Sequence, residues 1–239
     1  MTKRTRFLVM GGAAVLVLFA TAVWFFFFRD DAPDAVSLDA AAGSVTSTSA
    51  GGQAATLDGT WTIDTTVGDG VVENSSFVGY RVQEELANVG AKTAVGRTNS
   101  LSGTFTFQGT TLSAADIDVD MTALESDSSG RDRQMRTQAL ETDTFPDATF
   151  TLTAPVDLGA VPETGTPFSV EATGDLTVHG VTRPVTVPIE GQLLGDSVVV
   201  IGRIDILFSD YDIDSPRAAL VLSVEDQGEM EFQLFLTRT

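Results

Sequence analysis

Apolar and polar residues alternate along most of the chain after residue 57. Phe105 and Phe107 lie between polar residues, and Ile117, Val119 and Met121 alternate with aspartates. A period of two places apolar side chains on one face of a β-strand and polar side chains on the other. The same alternation returns in four further segments, at residues 150–152, 168–178, 185–189 and 230–236. The pattern therefore predicts a series of strands, each with one face turned to a core.

Short turn signals separate these strands. Gly109, Gly180 and Gly195 each lie in a small cluster of turn-forming residues between two alternating segments. Such clusters are typical of short antiparallel connections. Many short strands joined in this way, with almost no helical periodicity, predict an all-β antiparallel fold, either a closed barrel or a sandwich.

Two segments interrupt the alternation and predict short helices. Arg131–Leu140 contains no Gly or Pro, and Met135 and Ala139 have the i, i+4 spacing of neighbours on a helix. Val82–Val89 has Glu84 and Glu85 near its start and is followed by Gly90, a helix stop signal. We expect both helices to cap or flank the strands.

The N-terminal region carries a long apolar run. Phe7–Phe28 contains 22 apolar or small residues, and a helix of that length spans about 33 Å, enough to cross a bilayer. Basic residues precede the run, so the positive-inside rule predicts a cytoplasmic N-terminus, with everything after Arg29 on the outside. The alternative is a cleaved signal peptide, whose apolar region is usually shorter. The pattern favours a single-pass anchor in the cytoplasmic membrane at residues 1–29, with the remainder extracytoplasmic.

Residues 30–56 have the composition of a linker. Of these 27 residues, 18 are Ala, Ser, Thr or Gly, and none is aromatic. Such a segment buries too little apolar area to become ordered by itself. It predicts a flexible linker that leaves residues 57–239 as one β domain.

Composition narrows the function classes. The chain has no cysteine, which excludes disulfides, thiol catalysis and cysteine-ligated metals. After Arg29 there are 10 basic and 33 acidic residues, a formal charge of −23. A surface of this charge repels nucleic acid, so no nucleic-acid partner is expected.

Candidate chemical groups are few. His179 is the only histidine and precedes a turn glycine, which favours a structural role. Asp116, Asp118 and Asp120 lie at alternate positions, which in a strand is a solvated row rather than a calcium loop, because the loop's required glycine is absent. No metal site, catalytic residue or cofactor is predicted.

One basic cluster lies within the first predicted helix. Arg131, Arg133 and Arg136 lie within six positions, with Asp132 among them. Such arginines hold a pyrophosphate or a quinone headgroup through charge-assisted hydrogen bonds. Pairing with Asp132, or simple solvation, is the other interpretation.

Several blocks of the sequence resemble a known family. One block, residues 174–185, reads Gly-Asp-Leu-Thr-Val-His-Gly-Val-Thr-Arg-Pro-Val, and the β domain opens with Trp-Thr-Ile-Asp at residues 61–64. A further block comprises Arg131, Asp132, Met135, Arg136, Phe145, Pro146, Thr149 and Phe150. In order and type these blocks are similar to the YceI-like family of lipocalin-like, polyisoprenoid-binding β-barrels. The family's frequent His-Ser pair after the opening Asp is replaced here by Thr65 and Thr66.

The resemblance implies a lipocalin-like antiparallel barrel, with one or two short helices, that holds an isoprenoid lipid or similar amphiphile in its apolar interior. The headgroup would lie at Arg131 and Arg136. The side chains expected to line the interior are Phe77, Phe105, Phe107, Val119, Met121, Met135, Phe150, Phe168 and Val170. From the residues alone a filled core is the more common outcome for such a barrel, and a ligand tunnel rests on the resemblance.

Two other functions remain open at this point. One is a non-enzymatic structural or interaction module of the cell envelope with a filled core, and the sequence leaves a homodimer open. The other is a metal-dependent hydrolase, which a single histidine and the absence of cysteine disfavour. The prediction is that the chain is not an enzyme and that its partners are a lipid and, through the N-terminal helix, the membrane.

Overall fold

A computed structural model of the protein describes residues 32–44, 56–68, 74–87, 90–214 and 221–239. Helix α1, Leu38–Ser44, precedes the strands. The strands are β1 Gly59–Ile63, β2 Phe77–Leu86, β3 Gly90–Thr98, β4 Leu101–Gln108, β5 Thr111–Asp120, β6 Glu125–Ser126, β7 Asp147–Leu152, β8 Val156–Asp157, β9 Pro167–Val178, β10 Val181–Leu194, β11 Ser197–Leu207, β12 Val221–Val224 and β13 Gln227–Arg238. Helix α2, Ser129–Gln134, continues into a π-helical turn at Met135–Ala139.

Eight of the strands form a closed antiparallel barrel. The order around the ring is β1, β4, β5, β7, β9, β10, β11 and β13, and β13 pairs with β1 to complete it. In that closing pair Trp61 lies opposite Arg238 and Ile63 opposite Leu236. Of the two folds that the alternating pattern left open, this closure confirms the barrel and excludes the sandwich.

Strands β2 and β3 extend the wall at one end of the ring. β2 pairs with β13 and with β3, β12 pairs with β2, and β6 pairs with β3. The predicted helix at Val82–Val89 is therefore wrong over residues 82–86, which belong to β2. Glu, Gln and Leu are good helix formers, but helix propensity is a weak preference, and pairing with two neighbouring strands overrides it.

The other predicted helix is confirmed as α2 and the π-helical turn. The side chain of Ser128 accepts a hydrogen bond from the Arg131 amide and caps the start of α2. Asp132 is buried and its Oδ1 accepts from the amide and hydroxyl of Ser126, at 2.9 and 2.6 Å. These bonds fix the helical segment against β6, with Ala139 and Leu140 in the core of the barrel.

Helix α1 packs on the outer wall of the barrel. Ala41 in α1 is buried against outward-facing side chains of the wall, including Phe77 in β2, Val199 in β11 and Phe235 in β13. The predicted flexible linker over residues 30–56 is therefore wrong for this segment. The prediction considered only the apolar residues within the segment. In the structure the apolar outer wall of the barrel packs against the segment and orders it.

A buried ionic cluster lies beneath the residues that precede α1. Arg97 donates from Nη2 to Glu231 Oε1 at 2.7 Å and to the Asp34 carbonyl at 2.8 Å. Glu231 Oε2 accepts from the Val36 amide at 3.3 Å, and Arg81 Nη1 donates to the Pro33 carbonyl at 2.8 Å. We call residues 32–44 the strap, because these bonds and α1 bind the segment across the wall.

The predicted membrane anchor, Phe7–Phe28, lies outside the described residues. Within the part of the chain that the structure does describe, no helix is long and apolar enough to cross a bilayer.

Candidate ligand-binding cavity

The barrel encloses a cavity of about 190 Å³. Its wall is formed mainly by the inward faces of the strands, and Met135, Ala139 and Leu140 of the helical segment also line it. Nearly all of the lining side chains are apolar. For scale, an engineered apolar cavity of about 150 Å³ stays free of water and binds benzene. The interior is therefore large and dry enough to receive an apolar ligand.

Several aromatic rings in the cavity wall lie over glycines. A Cβ atom placed on Gly202 would lie 2.4 Å from Cζ of Phe232, which is the cross-strand partner of Gly202. The absence of a side chain lets the ring lie against the strand instead of projecting into the lumen. Four lining rings are seated in this way, in the pairs Phe232 and Gly202, Phe150 and Gly174, Phe208 and Gly228, and Tyr80 and Gly96.

One part of the wall is polar. Glu84 of β2 and Arg131 of α2 both line the cavity, and Arg131 Nη2 donates to Glu84 Oε1 at 2.6 Å. Arg131 Nη1 also contacts Asp127 and donates to Ser126 Oγ at 3.3 Å. Burial opposes the charge of Arg131, but the hydrogen bonds and charges of Glu84 and Asp127 outweigh it and raise its pKa. The guanidinium is thus fully charged and already paired.

Tyr80 lies in the same wall, with its ring and hydroxyl against Gly96 of β3. The hydroxyl oxygen is buried and has no hydrogen-bond partner among the described residues. Burial raises the pKa of Tyr80 above its ordinary value of 10.0, opposed by Arg131 and assisted by Asp132, Glu84 and Asp127. The phenol is therefore protonated, and its O–H is a donor at neutral pH.

The structure places five of the predicted lining residues in the cavity wall. These are Phe105, Val119, Met121, Met135 and Phe150. Their role in holding a lipid stays a prediction.

Four predicted lining residues do not line the cavity. Phe77 points outward and lies under Arg97, whose guanidinium carbon is 4.4 Å from the ring centre. Phe107 and Phe168 pack with the apolar cluster around Trp61, and Val170 is half-buried in β9. Phe77 was misplaced because the face of a strand depends on its register, and residues 78, 80, 82 and 84 are the inward set in β2.

The two predicted headgroup arginines have different surroundings. Arg131 lines the cavity, whereas Arg136 does not and donates to the Leu124 carbonyl at 3.4 Å. The basic cluster seen in the sequence is thus divided by the helix, and only one of these cations faces the interior.

The remaining candidate groups lie away from the cavity. Ring nitrogens of His179 lie 3.1 Å from the Tyr211 carbonyl and 3.1 Å from Glu141 Oε2, and Phe145 contacts its ring edge-on. Asp116 and Asp118 are exposed on β5, as the alternating pattern predicts. In the ranges that the structure covers, no group of three acidic or histidine side chains is arranged to hold a metal.

Sequence reasoning missed Tyr80 and Glu84 as cavity residues. Both fall in or next to the segment interpreted as a helix. The alternation of Val78, Tyr80 and Val82 with Gly79 and Arg81 carried the correct signal, since a period of two identifies a strand.

Comparison with known proteins gives consistent results. The sequence model of the YceI-like domain family matches residues 37–236 of this chain. A UPF0312 protein of Vibrio parahaemolyticus is 30% identical over 140 residues, which cover 54% of this chain and 69% of the relative. The protein YceI of Shigella flexneri is 32% identical over 123 residues, covering 50% of this chain and 57% of the relative. The chain thus aligns with only part of these relatives.

Solved structures share the fold. A polyisoprenoid binding domain from Saccharophagus degradans superposes with a TM-score of 0.58 at 22% identity, covering 75% of this chain and 98% of that one. BcnA of Burkholderia cenocepacia superposes with a TM-score of 0.51 at 21% identity, covering 66% and 95%. At these identities the likeness concerns the barrel alone.

Proposed function

The chain belongs to the YceI-like domain family, and on that premise we propose that it binds an isoprenoid lipid or a similar amphiphile in its barrel. The observation that carries this proposal is the apolar cavity of about 190 Å³. A related barrel from Saccharophagus degradans is described as a polyisoprenoid binding domain, which supports the same ligand class. The hollow interior favours this function over an interaction module with a filled core.

Binding would be driven by burial of the lipid chain. Each CH₂ group moved from water into an apolar site gains about 0.8 kcal/mol. Several isoprene units would therefore be retained without any reactive group in the protein. The function is sequestration or transport of the lipid, not catalysis.

The proposal places the barrel outside the cytoplasmic membrane. The apolar run at residues 7–28, with basic residues before it and acidic residues after it, supports a single-pass anchor with a cytoplasmic N-terminus. Tethering would keep the barrel close to a membrane source of lipid.

The test is native mass spectrometry of the full-length protein purified from its natural host, followed by organic extraction of any ligand. We expect one lipid per barrel, with an isoprenoid chain. An empty protein that also rejects added polyprenols and quinones would refute the proposal.

Two adjacent alanines provide matched variants for this test. Ala115 is buried in the cavity wall, whereas Ala114 is exposed on the opposite face of β5. Ala115→Leu should reduce lipid occupancy by filling part of the lumen, and Ala114→Leu should leave it unchanged. Equal occupancy in both variants would place the lipid elsewhere on the protein.

A further inference from the structure

Strands β10 and β11 separate part-way along the barrel. They pair with each other over residues 189–194 and 197–202. Beyond that stretch, residues 181–188 of β10 pair only with β9, and residues 203–207 of β11 pair only with β13, within the part of the chain that the structure describes. The strand wall therefore has an opening between β10 and β11.

Two prolines in β10 favour this separation. Pro184 and Pro188 both lie in the part of β10 that pairs on one side only. Proline has no amide hydrogen to donate to a neighbouring strand, which confines it to the edges of sheets. The sequence of β10 thus disfavours pairing with β11 along this stretch.

Residues 208–213, which we call the plug, fill the opening. They begin with a 3₁₀ turn at Phe208–Tyr211, which contacts both β10 and β11. Phe208 and Ile213 line the cavity, and Tyr211 is 2% exposed. The plug thus closes the side of the cavity that the two strands leave open.

The plug is anchored on the side of β11 and β13. It continues directly from the end of β11, and the Phe208 amide donates to the Asp226 carbonyl at 3.3 Å. Ser209 donates from Oγ to Asp226 Oδ2 at 3.2 Å. The Phe208 ring lies over Gly228 of β13, where an added Cβ would be 2.9 Å from Cζ of the ring. Backbone, side-chain and ring contacts together fix this side.

The plug is held to β10 and its preceding turn by side chains. Arg183 donates from Nε to the Asp210 carbonyl at 2.9 Å, and Nδ1 of His179, in the turn before β10, lies 3.1 Å from the Tyr211 carbonyl. No backbone hydrogen bond joins the plug to β10 in the described ranges. Opening the plug on this side would therefore break side-chain hydrogen bonds but no strand ladder.

The backbone is strained where the plug meets this turn. Glu141, His179 and Asp212 are the non-glycine residues with a left-handed backbone in the described ranges, with φ of 44°, 52° and 53°. The His179 ring contacts Glu141 through Nε2, at 3.1 Å, and contacts the carbonyl of the residue before Asp212 through Nδ1, so the three strained positions meet at one place. Strain of this kind clusters at clamps and switch regions.

Other segments between the strands are held more firmly. Residues 153–166 bond through their backbone to two strands, since β8 pairs with β5 and the Thr153 amide donates to the Thr173 carbonyl of β9 at 3.0 Å. The helical segment is bonded to β2 by the ion pair of Arg131 and to β6 by the buried carboxylate of Asp132. A charge-assisted hydrogen bond is stronger than a neutral one. The plug is thus the part of the cavity wall best placed to open.

Building on the proposed function, we infer that the plug is a side gate through which the lipid chain enters and leaves the cavity. The gate opens when Arg183 and His179 release the plug, while Phe208 remains on β13 as the fixed end. The ligand then passes sideways between β10 and β11 instead of threading through an end of the barrel.

The absence of cysteine from the chain allows the plug to be locked selectively. Arg183→Cys combined with Asp210→Cys, joined by a cleavable bismaleimide, links the plug to β10, and both positions are exposed. Thr173→Cys combined with Thr186→Cys is the matched control. These two hydroxyls already lie 3.0 Å apart across the continuous ladder of β9 and β10.

Probe entry is followed by energy transfer from tryptophan to the uncharged fluorophore N-phenyl-1-naphthylamine. The full-length protein in lipid nanodiscs carries Trp24→Phe, which leaves Trp61 as the only tryptophan. Trp61 belongs to one apolar cluster with Phe105 and Leu234, which both line the cavity. Energy transfer from Trp61 therefore reports arrival of the probe in the cavity.

We expect the link between plug and β10 to stop both entry and release of the probe until the linker is cleaved. The control link should change neither rate. Without a linker, Arg183→Ala should raise both rates by about twofold to tenfold, the range of one hydrogen bond, and leave Kd unchanged, because a gate alters the barrier and not the bound state. Arg203→Ala, which removes a β11 arginine paired with Glu229, should leave both rates unchanged.

The outcomes separate this inference from the proposed function. A wild-type protein that takes up no probe would overturn both. Uptake at rates that the plug link does not change would refute the gate and leave lipid binding intact. Equal slowing by the plug link and the control link would also refute the gate, since general stiffening of the barrel would then explain the effect.

Discussion

Arg97 and Glu231 form an ion pair buried between the barrel wall and the strap. Glu231 Oε1 accepts from Arg97 Nε at 2.9 Å and from Nη2 at 2.7 Å, and the carboxylate is fully buried. The strap supplies further bonds through the Asp34 carbonyl and the Val36 amide. Wall and strap thus depend on one another, because each completes the hydrogen bonding of groups in the other.

Removing one member of this pair should strongly destabilise the protein. Arg97→Met leaves Glu231 charged and buried without its main partner, a change that costs about 3–5 kcal/mol in other proteins. Urea unfolding measures the difference. Arg203 and Glu229 lie 3.6 Å apart in a partly exposed pair on β11 and β13, and Arg203→Ala should cost less than about 1 kcal/mol. Equal losses in the two variants would contradict the importance of burial.

The strap offers a second prediction from two neighbouring alanines. Ala41 is 1% exposed against the outer wall, whereas Ala40 in the same helix is exposed. Ala41→Asp places an unpaired carboxylate in an apolar contact and should release the strap, so that a protease cuts between residues 32 and 44. Ala40→Asp should remain protected like the wild type. Rapid cleavage of the wild type between residues 32 and 44 would instead support the flexible linker predicted from composition.

The close contact between Gly202 and the Phe232 ring predicts a loss of stability that a second substitution partly restores. Gly202→Ala would bring a methyl group within 2.4 Å of the Phe232 ring and 3.0 Å of the Pro188 carbonyl. We expect a loss of about 1–3 kcal/mol, typical of overpacking, together with weaker lipid binding. Adding Phe232→Leu should recover part of the stability, because the smaller side chain leaves room for the methyl group. Gly43→Ala serves as control, since its Cβ would meet open space.

The two tyrosines of the chain predict a loss of stability at alkaline pH. Burial raises the pKa of Tyr80 and of Tyr211 above the ordinary value of 10.0. A raised pKa in the folded state means that the unfolded chain loses these protons first as pH increases. Their contribution to stability is therefore complete below pH 10 and decreases above it. Urea unfolding on both sides of pH 10 should show a steeper decline for the wild type than for Tyr80→Phe, and identical slopes would refute the prediction.

The family resemblance favoured the barrel over the sandwich, and the alternating pattern predicted much of its lining. It placed Phe105, Val119, Met121 and Phe150 on inward faces because strands with one wet and one dry face leave a clear period of two. It failed at Phe77, whose apolar side chain faces the strap. An outward face covered by another segment is as apolar as an inward one, so periodicity alone cannot distinguish them.

The amino-acid composition could not predict the hollow interior. Whether a barrel is filled depends on where each ring lies, and that depends on which glycine faces it across the sheet. Gly96 and Tyr80 are 16 residues apart in the sequence and meet only through the register of β2 and β3. Arg131 and Glu84 meet across a still longer separation, so their pairing could not be read from the helix alone.

Closure of the barrel has a consequence for how the chain folds. Because β1 pairs with β13, the ring is incomplete until β13 has been synthesised and has paired with β1. Contacts between such distant segments slow folding, and until β13 pairs with β1 and β11 the open edges of these two strands are exposed to pairing with other chains. A chain shortened by its final strand would keep those edges permanently, and we expect it to aggregate instead of forming a smaller barrel.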